Sequence, residues 1–301
     1  GGAARDDTRL TPGIEPSCGG RPMRLGELSG GWVGEVYRAV MPSGRDLVAK
    51  VARAGAGAGA GAGTGSSGLA LEGFMLDYLS THSDLPVPKV HSADDSLLLM
   101  DMIGCGGGLG TVVQRDAARH VAALHDLTTA HGFGFKCDTV IGGLRQPNPW
   151  TPKWCDFFRD QRLLYMGREA ERVGRLPTAL MRRLSLFCEV LDRWITEPAR
   201  PSLIHGDMWA GNVLSVNDHI SGFIDPAIYY ADPEIELAFT TLFSTFGDAF
   251  FNRYNELRPI RPGFFEERRD IYNLYPLLVH VRLFGGSYVA SVDRTLSKFG
   301  H

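Results

Sequence analysis

Two carboxylates and one carboxamide fall close together in this chain. They lie in Leu203-Ile204-His205-Gly206-Asp207-Met208-Trp209-Ala210-Gly211-Asn212-Val213-Leu214 and in Gly222-Phe223-Ile224-Asp225-Pro226-Ala227. Those residue types suit phosphoryl transfer. One Asp can take the proton of an attacking hydroxyl, and an Asn with a second Asp can hold magnesium on nucleotide phosphates, because hard oxygen ligands suit that ion.

Such groups need a frame, and their apolar, β-forming neighbours predict a loop fixed between strands. A nucleotide site also needs donors for phosphate, so the upstream sequence matters. Leu25 to Val40 reads as strand, tight glycine turn, strand. After the turn Met41-Pro42-Ser43-Gly44-Arg45 a third strand, Asp46 to Ala52, carries Lys50 in its middle. Gly30, Gly31 and Gly34 could let backbone amides approach phosphate oxygens where a side chain would block them, although glycine turns also join strands with no ligand in view. Lys50, taken alone, reads better as a solvated residue of an edge strand.

Leu69 to His82 has apolar residues at Leu71, Phe74, Met75, Tyr78 and Leu79, the spacing of an amphipathic helix, with Glu72 near its start. Glu72 suits the helix dipole there; it could also pair with Lys50 as kinases pair a lysine and an acid. Val87 to Val90 opens a fourth strand, and Ser96 to Met102 is an apolar run that reads as a buried fifth. The main chain of Asp101, Met102 and Ile103 could then offer hydrogen bonds to an adenine edge. Between the third strand and the helix, Ala54 to Gly68 is an alternating Gly/Ala tract, read as a flexible linker.

From Leu109 onward the pattern is mainly helical. Val112, Val113, Ala117, Val121, Leu124 and Leu127 make one stripe, with His125 beside it read as a packed structural histidine. Gly132 to Trp150 reads as a long loop that could line a substrate cleft. Helices are expected at Trp154 to Val173, Leu176 to Ile195, Pro233 to Phe246 and from Phe264 to the C-terminus.

At 301 residues, 44% apolar and 22% charged, the composition is that of an ordinary globular protein, and the length favours two lobes over one. A formal charge of -3 gives no reason to expect nucleic acid or an anionic membrane surface as partner. Cys18, Cys105, Cys137, Cys155 and Cys188 are odd in number and widely spaced, which suggests neither a disulfide framework nor a zinc site. A reducing, cytoplasmic location is expected, since no apolar run is long enough to span a bilayer.

The pattern His205-Gly206-Asp207-x-x-x-x-Asn212 with the later Asp225-Pro226 resembles the aminoglycoside phosphotransferase and choline kinase branch of the protein-kinase-like superfamily. Within that branch it is most similar to the fructosamine kinase (ketosamine-3-kinase) family. Further matches are Gly132-Phe133-Gly134-Phe135, Gln146-x-Asn148-x-Trp150, Trp154-x-x-Phe157-Phe158-x-x-Gln161-Arg162-Leu163, Asp225 to Tyr230 and Glu234 to Ala238, so the resemblance covers residues 24 to 290.

The resemblance implies an α+β, protein-kinase-like bilobal fold. An N-terminal extension (1–22) precedes a small antiparallel-sheet N-lobe (23–103), followed by a larger helical C-lobe (104–301). It implies ATP and Mg²⁺ as cofactors, Asp207 as catalytic base, and Asn212 and Asp225 as magnesium ligands. Lys50 and Glu72 become the phosphate-aiming pair. Gly30, Gly31, Gly34, Asp101, Met102 and Ile103 join them around the nucleotide, and Glu236 is a candidate brace for the catalytic loop. Trp209 either stacks on the acceptor or fills the core, and His280 is a candidate wall of the cleft. The implied reaction phosphorylates the third-carbon hydroxyl of a ketosamine of the fructosamine or ribulosamine type, by a monomer or homodimer. Rivals are another small-molecule kinase, for aminoglycosides or choline, and a nucleotide-binding pseudokinase. The glycine turn Ser29-Gly30-Gly31-Trp32-Val33-Gly34 departs from the protein-kinase G-x-G-x-x-G and has no cysteine, so redox control there is not expected.

Overall fold

A computed structural model describes Ile14, Pro22, residues 24–28, residues 34–53 and residues 68–301. Gly30, Gly31 and the Gly/Ala tract up to residue 67 lie outside the described residues.

In chain order the strands are β1 (Arg24–Leu28), β2 (Gly34–Val40), β3 (Asp46–Ala52), β4 (Val90–Ala93), β5 (Leu97–Asp101), β6 (Thr139–Ile141), β7 (Leu144–Gln146), β8 (Ser202–Ile204), β9 (Val213–Val216), β10 (His219–Phe223) and β11 (Tyr229–Ala231). The helices are α1 (Leu69–His82), α2 (Thr111–His125), α3 (Trp154–Phe158), α4 (Tyr165–Arg172), α5 (Thr178–Glu189), α6 (Glu234–Leu242), α7 (Asp248–Leu257), α8 (Arg269–Phe284) and α9 (Ser287–Lys298). They fall into two compact units. The first takes the described residues up to Gly108 together with Gly142–Arg145 and Asn212–Pro226; the second takes Leu109–Ile141, Gln146–Gly211 and Ala227–His301.

In the first unit the five strands β1-β2-β3-β5-β4 form an antiparallel sheet. Successive strand residues point to opposite faces, and that alternation decides where Lys50 goes. Leu47 and Ala49 of β3 join Ala39, Leu97 and Leu99 in one apolar layer. Val48 lies on the other face with Leu98, Met100 and the α1 residues Leu69 and Leu76. Lys50 shares the parity of Val48 and pairs in register with Leu98, so it faces α1. The helix sits tight on the sheet. A Cβ at Gly73 would come within 2.4 Å of the Ala93 Cβ, which leaves no room there for a larger residue. The antiparallel β9–β10 hairpin completes the unit, tied to it by Phe223 N–H donating to Pro86 O and Gly107 N–H donating to Ser215 O.

The second unit is helical apart from short strands. Here β8 and β11 pair antiparallel, Ile204 opposite Tyr229 and Leu203 opposite Tyr230. Trp154, Phe157, Phe158 and Tyr272 form a buried aromatic core, with Trp154 Nε1 donating to Tyr272 Oη. Several expected elements are subdivided. The helix expected at Trp154 to Val173 contains a π-helical turn, Arg159–Leu164, between α3 and α4. The C-terminal helix is broken at Gly285 and Gly286, both at positive φ. The stretch Gly132 to Trp150 is not the unbroken loop expected, since it contains β6 and β7. α7 had no counterpart among the expected helices; Phe250, Phe251 and Tyr254 supply its buried face.

Candidate active site

Lys50 Nζ lies 2.6 Å from Glu72 Oε1 and 2.5 Å from Asp225 Oδ1. The alternation of β3 aims the lysine at α1, and α1 returns Glu72 from its first turn. Asp225 arrives from the far end of the β9–β10 hairpin, in the left-handed region at φ +50. A non-glycine residue held there is uncommon, and its neighbours fix it: Ile224 N–H donates to Asn212 O at 3.0 Å. That bond sets the segments carrying Asn212 and Asp225 side by side.

The charges do not balance, since two carboxylates face one ammonium. Burial opposes the charge of Lys50, but Glu72 and Asp225 outweigh it and hold the ammonium above its usual range. Burial lifts Glu72 to about 7, with Lys50 pulling against the lift and Asp225 adding to it. A second cation beside Asp225 would relieve that surplus negative charge. Asn212 and Asp225 supply hard oxygen donors for one. Among the described residues no group of three or more His, Cys, Asp or Glu forms a closed metal cage. A cation here would therefore complete its shell with phosphate oxygens and water, which is the habit of Mg²⁺. The donor set fits that ion.

In the second unit, β8 leads into His205, Gly206 and Asp207. Asp207 is half-buried, and its N–H donates to His205 Nδ1 at 3.2 Å. Glu236, buried in the first turn of α6, accepts from the His205 N–H at 3.1 Å and the Gly206 N–H at 2.8 Å. Its Oε2 also lies 2.7 Å from His125 Nε2, while His125 Nδ1 lies 2.7 Å from Tyr254 Oη. Burial would raise Glu236, but His125 and the Gly206 amide hold its carboxyl below the usual range. His125 is thus packed and buried as expected, and it is also hydrogen-bonded to the acid that holds the loop. Glu236 satisfies amides that would otherwise be buried without partners.

Arg162 of the π-helical turn is fully buried. Its guanidinium lies 4.0 Å from the centre of the Tyr229 ring and donates to Pro147 O and Asn148 Oδ1. That packing fixes β11 against β8. The Gln146-x-Asn148 motif thereby gains a concrete role, because Gln146 Nε2 also donates to Ala227 O, and the Ala227 N–H donates to His205 O.

Of the remaining expected site residues, Gly34 opens β2, where a Cβ would stand 2.2 Å from Val51 O, so only glycine fits. In the stretch expected to meet adenine, the Asp101 N–H donates to Lys89 O and the Met102 N–H to Asp46 O, so the sheet uses those two donors. Ile103 lies beyond the ladder, with its side chain against Gly222. Trp209 is 42% exposed, which removes the core-filling alternative. Its ring covers Gly211, where a Cβ would stand 2.3 Å from it.

The sequence model described as Fructosamine kinase matches residues 70–300. The chain belongs to the fructosamine kinase family. It is 36% identical over 219 residues to a probable ketoamine kinase of Synechocystis sp., covering 71% of this chain and 72% of that one. It is 30% identical over 226 residues to the chloroplastic protein-ribulosamine 3-kinase of Arabidopsis thaliana, covering 73% and 68%. Among solved structures, a Thermobifida fusca protein provisionally named fructosamine-3-kinase superposes with a TM-score of 0.83 at 28% identity, over 96% of this chain and 98% of that one. A thermostable mutant of aminoglycoside phosphotransferase APH(4)-Ia, solved with ADP and hygromycin B, reaches a TM-score of 0.68 at 16% identity over 98% and 100%, a likeness of fold alone. The fold is accordingly protein-kinase-like, with an antiparallel-sheet N-terminal lobe and a helical C-terminal lobe. The family is one of phosphotransferases that use ATP. Among the described residues no helix is long and apolar enough to cross a membrane.

Proposed function

We propose that this protein is a ketosamine kinase that phosphorylates the third-carbon hydroxyl of a sugar joined to an amine, with a ribulosamine as the favoured acceptor. The observation that carries this reading is the family match over residues 70–300, which takes in Glu72, Asp207, Asn212 and Asp225 together. ATP bound with magnesium supplies the γ-phosphoryl group and part of the charge neutralisation. Lys50, aimed by Glu72, holds phosphate oxygens. Asn212 and Asp225 hold the metal. Asp207 orients the acceptor hydroxyl and accepts its proton as the oxygen bonds to phosphorus and the bond to the leaving oxygen breaks. Trp209, exposed two residues beyond Asp207, offers a ring face on which the sugar stacks. The phosphorylated adduct then releases its amine, so the consequence is deglycation.

The test is an acceptor panel read by ADP release: a ribulosamine, a fructosamine, an aminoglycoside and choline, each with and without magnesium. Magnesium-dependent turnover highest with the ribulosamine is expected. Turnover confined to choline or the aminoglycoside would overturn the reading in favour of another kinase of this fold.

Glu72→Gln tests the aiming pair. A neutral amide replaces a charge-assisted partner with an ordinary one, a loss of about 1 kcal/mol, so the KM for ATP should rise roughly fivefold to tenfold. Initial rates across an ATP titration report this, and an unchanged KM would detach Glu72 from the nucleotide.

A further inference from the structure

Three aromatic side chains of the second unit gather around one histidine. The His280 ring lies 4.9 Å from Phe243, 5.8 Å from Phe284 and 4.9 Å from Tyr288, centre to centre, and every pair is tilted. Phe243 is 36% exposed and Phe284 49%, so the cluster opens to solvent where a packing core would close. Exposed apolar rings gathered this way mark interaction sites more often than isolated ones do.

The chemistry of His280 narrows the ligand. Its Nδ1 lies 2.7 Å from Pro276 O, and only a protonated nitrogen can donate to a carbonyl. Burial lowers the His280 pKa, which favours the neutral ring. In the neutral ring Nε2 then carries a lone pair and accepts. The cluster therefore offers π faces and one acceptor, which together suit a cation bearing an N–H. Arg175, which reaches the C-terminal end of α8, is engaged by the carbonyls of Arg282 and Leu283.

Position supplies the second argument. α6 carries Glu236, which holds the catalytic loop, and then Phe239, and Phe243 follows at its C-terminal end. α8 carries Tyr275 and Pro276 and then, one and two turns on, His280 and Phe284. Glu236, Phe239, Tyr275 and Pro276 line a small cavity together with Gly206, the neighbour of Asp207. Six residues of helix lead from Glu236 to Leu242, about 9 Å of rise, and Phe243 follows directly. An acceptor whose hydroxyl meets Asp207 would extend its amine and stem over that distance.

We propose that Phe243, His280, Phe284 and Tyr288 form the subsite for the amine half of the acceptor, a protonated secondary amine on an alkyl stem whose N–H is accepted by His280 Nε2. This rests on the ketosamine reading and specifies which part of the molecule sets acceptor affinity. It leaves the phosphoryl-transfer groups untouched.

Two acceptors sharing one sugar separate the possibilities: ribulose carried on the ε-amine of an Nα-blocked lysine, and ribulose carried on aniline, whose arylamine nitrogen is largely unprotonated at neutral pH. Phe284→Ala and Phe284→Leu should each raise the KM for the lysine adduct roughly fivefold to thirtyfold, the range of a desolvated cation–π contact. The KM for ATP and for the aniline adduct should stay near wild type. Phe284→Leu matching wild type, or both acceptors losing equally with a lowered Tm, would overturn the subsite and leave the cluster as packing. Wild-type turnover of either adduct upholds the ketosamine reading whatever the variants do, so the two claims fail separately.

Discussion

Asp207→Asn is expected to lower kcat ~10²–10⁴-fold while nucleotide affinity is retained, because the substitution removes a base and keeps the size of the side chain. Asn has the shape of Asp. The main chain helps to place this residue: its N–H donates to His205 Nδ1, and its carbonyl accepts from the Trp209 N–H. The loop is held from outside by Glu236, through the amides of His205 and Gly206, and no Asp207 side-chain atom takes part in those bonds. The groups that would hold nucleotide, Lys50, Glu72, Asn212 and Asp225, stay as they are. The variant should therefore bind ATP, melt near the wild-type temperature and fail at transfer. Near-normal turnover would take Asp207 out of the mechanism and leave positioning and charge neutralisation to account for the rate.

The site was legible to different depths for physical reasons that can be named. Asp207, Asn212 and Asp225 stood out as candidates because phosphoryl transfer needs oxygen ligands and a base at close spacing. Lys50 and Glu72 were visible as separate candidates. Their pairing depended on the parity of β3 and on the face that α1 presents, and the Gly/Ala tract between them gave no such constraint. The sheet and α1 were legible from period-two and period-3.6 patterns. α7 was not, since its buried residues are bunched at Phe250, Phe251 and Tyr254, too few to declare a period. Asn212–Pro226 lies far along the chain yet belongs with the sheet unit, and only tertiary pairing reveals that. The partners of His125 and Arg162 were opaque for another reason. A buried polar residue is defined by its partners, and Glu236, Tyr254, Tyr229 and Asn148 are distant in sequence.

Gly206→Ala should cost both stability and activity, and the same contact causes both losses. Gly206 sits at φ +91, where a residue with a Cβ is strained by about 1–3 kcal/mol. The added atom would also stand 1.9 Å from Ala227 O and 2.6 Å from its carbonyl carbon. Those are backbone atoms, and they have little freedom to retreat. Ala227 is held by its own N–H to His205 O at 2.7 Å and by Gln146 Nε2 at 3.1 Å, and β11 beyond it is registered on β8 with Tyr229 clamped under Arg162. Either β11 is pushed away from β8, or the loop turns and the Gly206 N–H leaves Glu236. Both outcomes move Asp207, the next residue, and a misplacement of about 1 Å at a reacting group costs on the order of 10²-fold in rate. The expected result is a fall in unfolding free energy of roughly 3 kcal/mol, strain and displacement together, with kcat down at least about 100-fold and ATP binding weakened far less. Urea unfolding and single-turnover rates measure the two losses on one preparation. A variant with wild-type stability and wild-type rate would mean that β11 yields without cost, and that the clamp formed by Arg162, Gln146 and Glu236 does not hold the loop rigidly enough to matter.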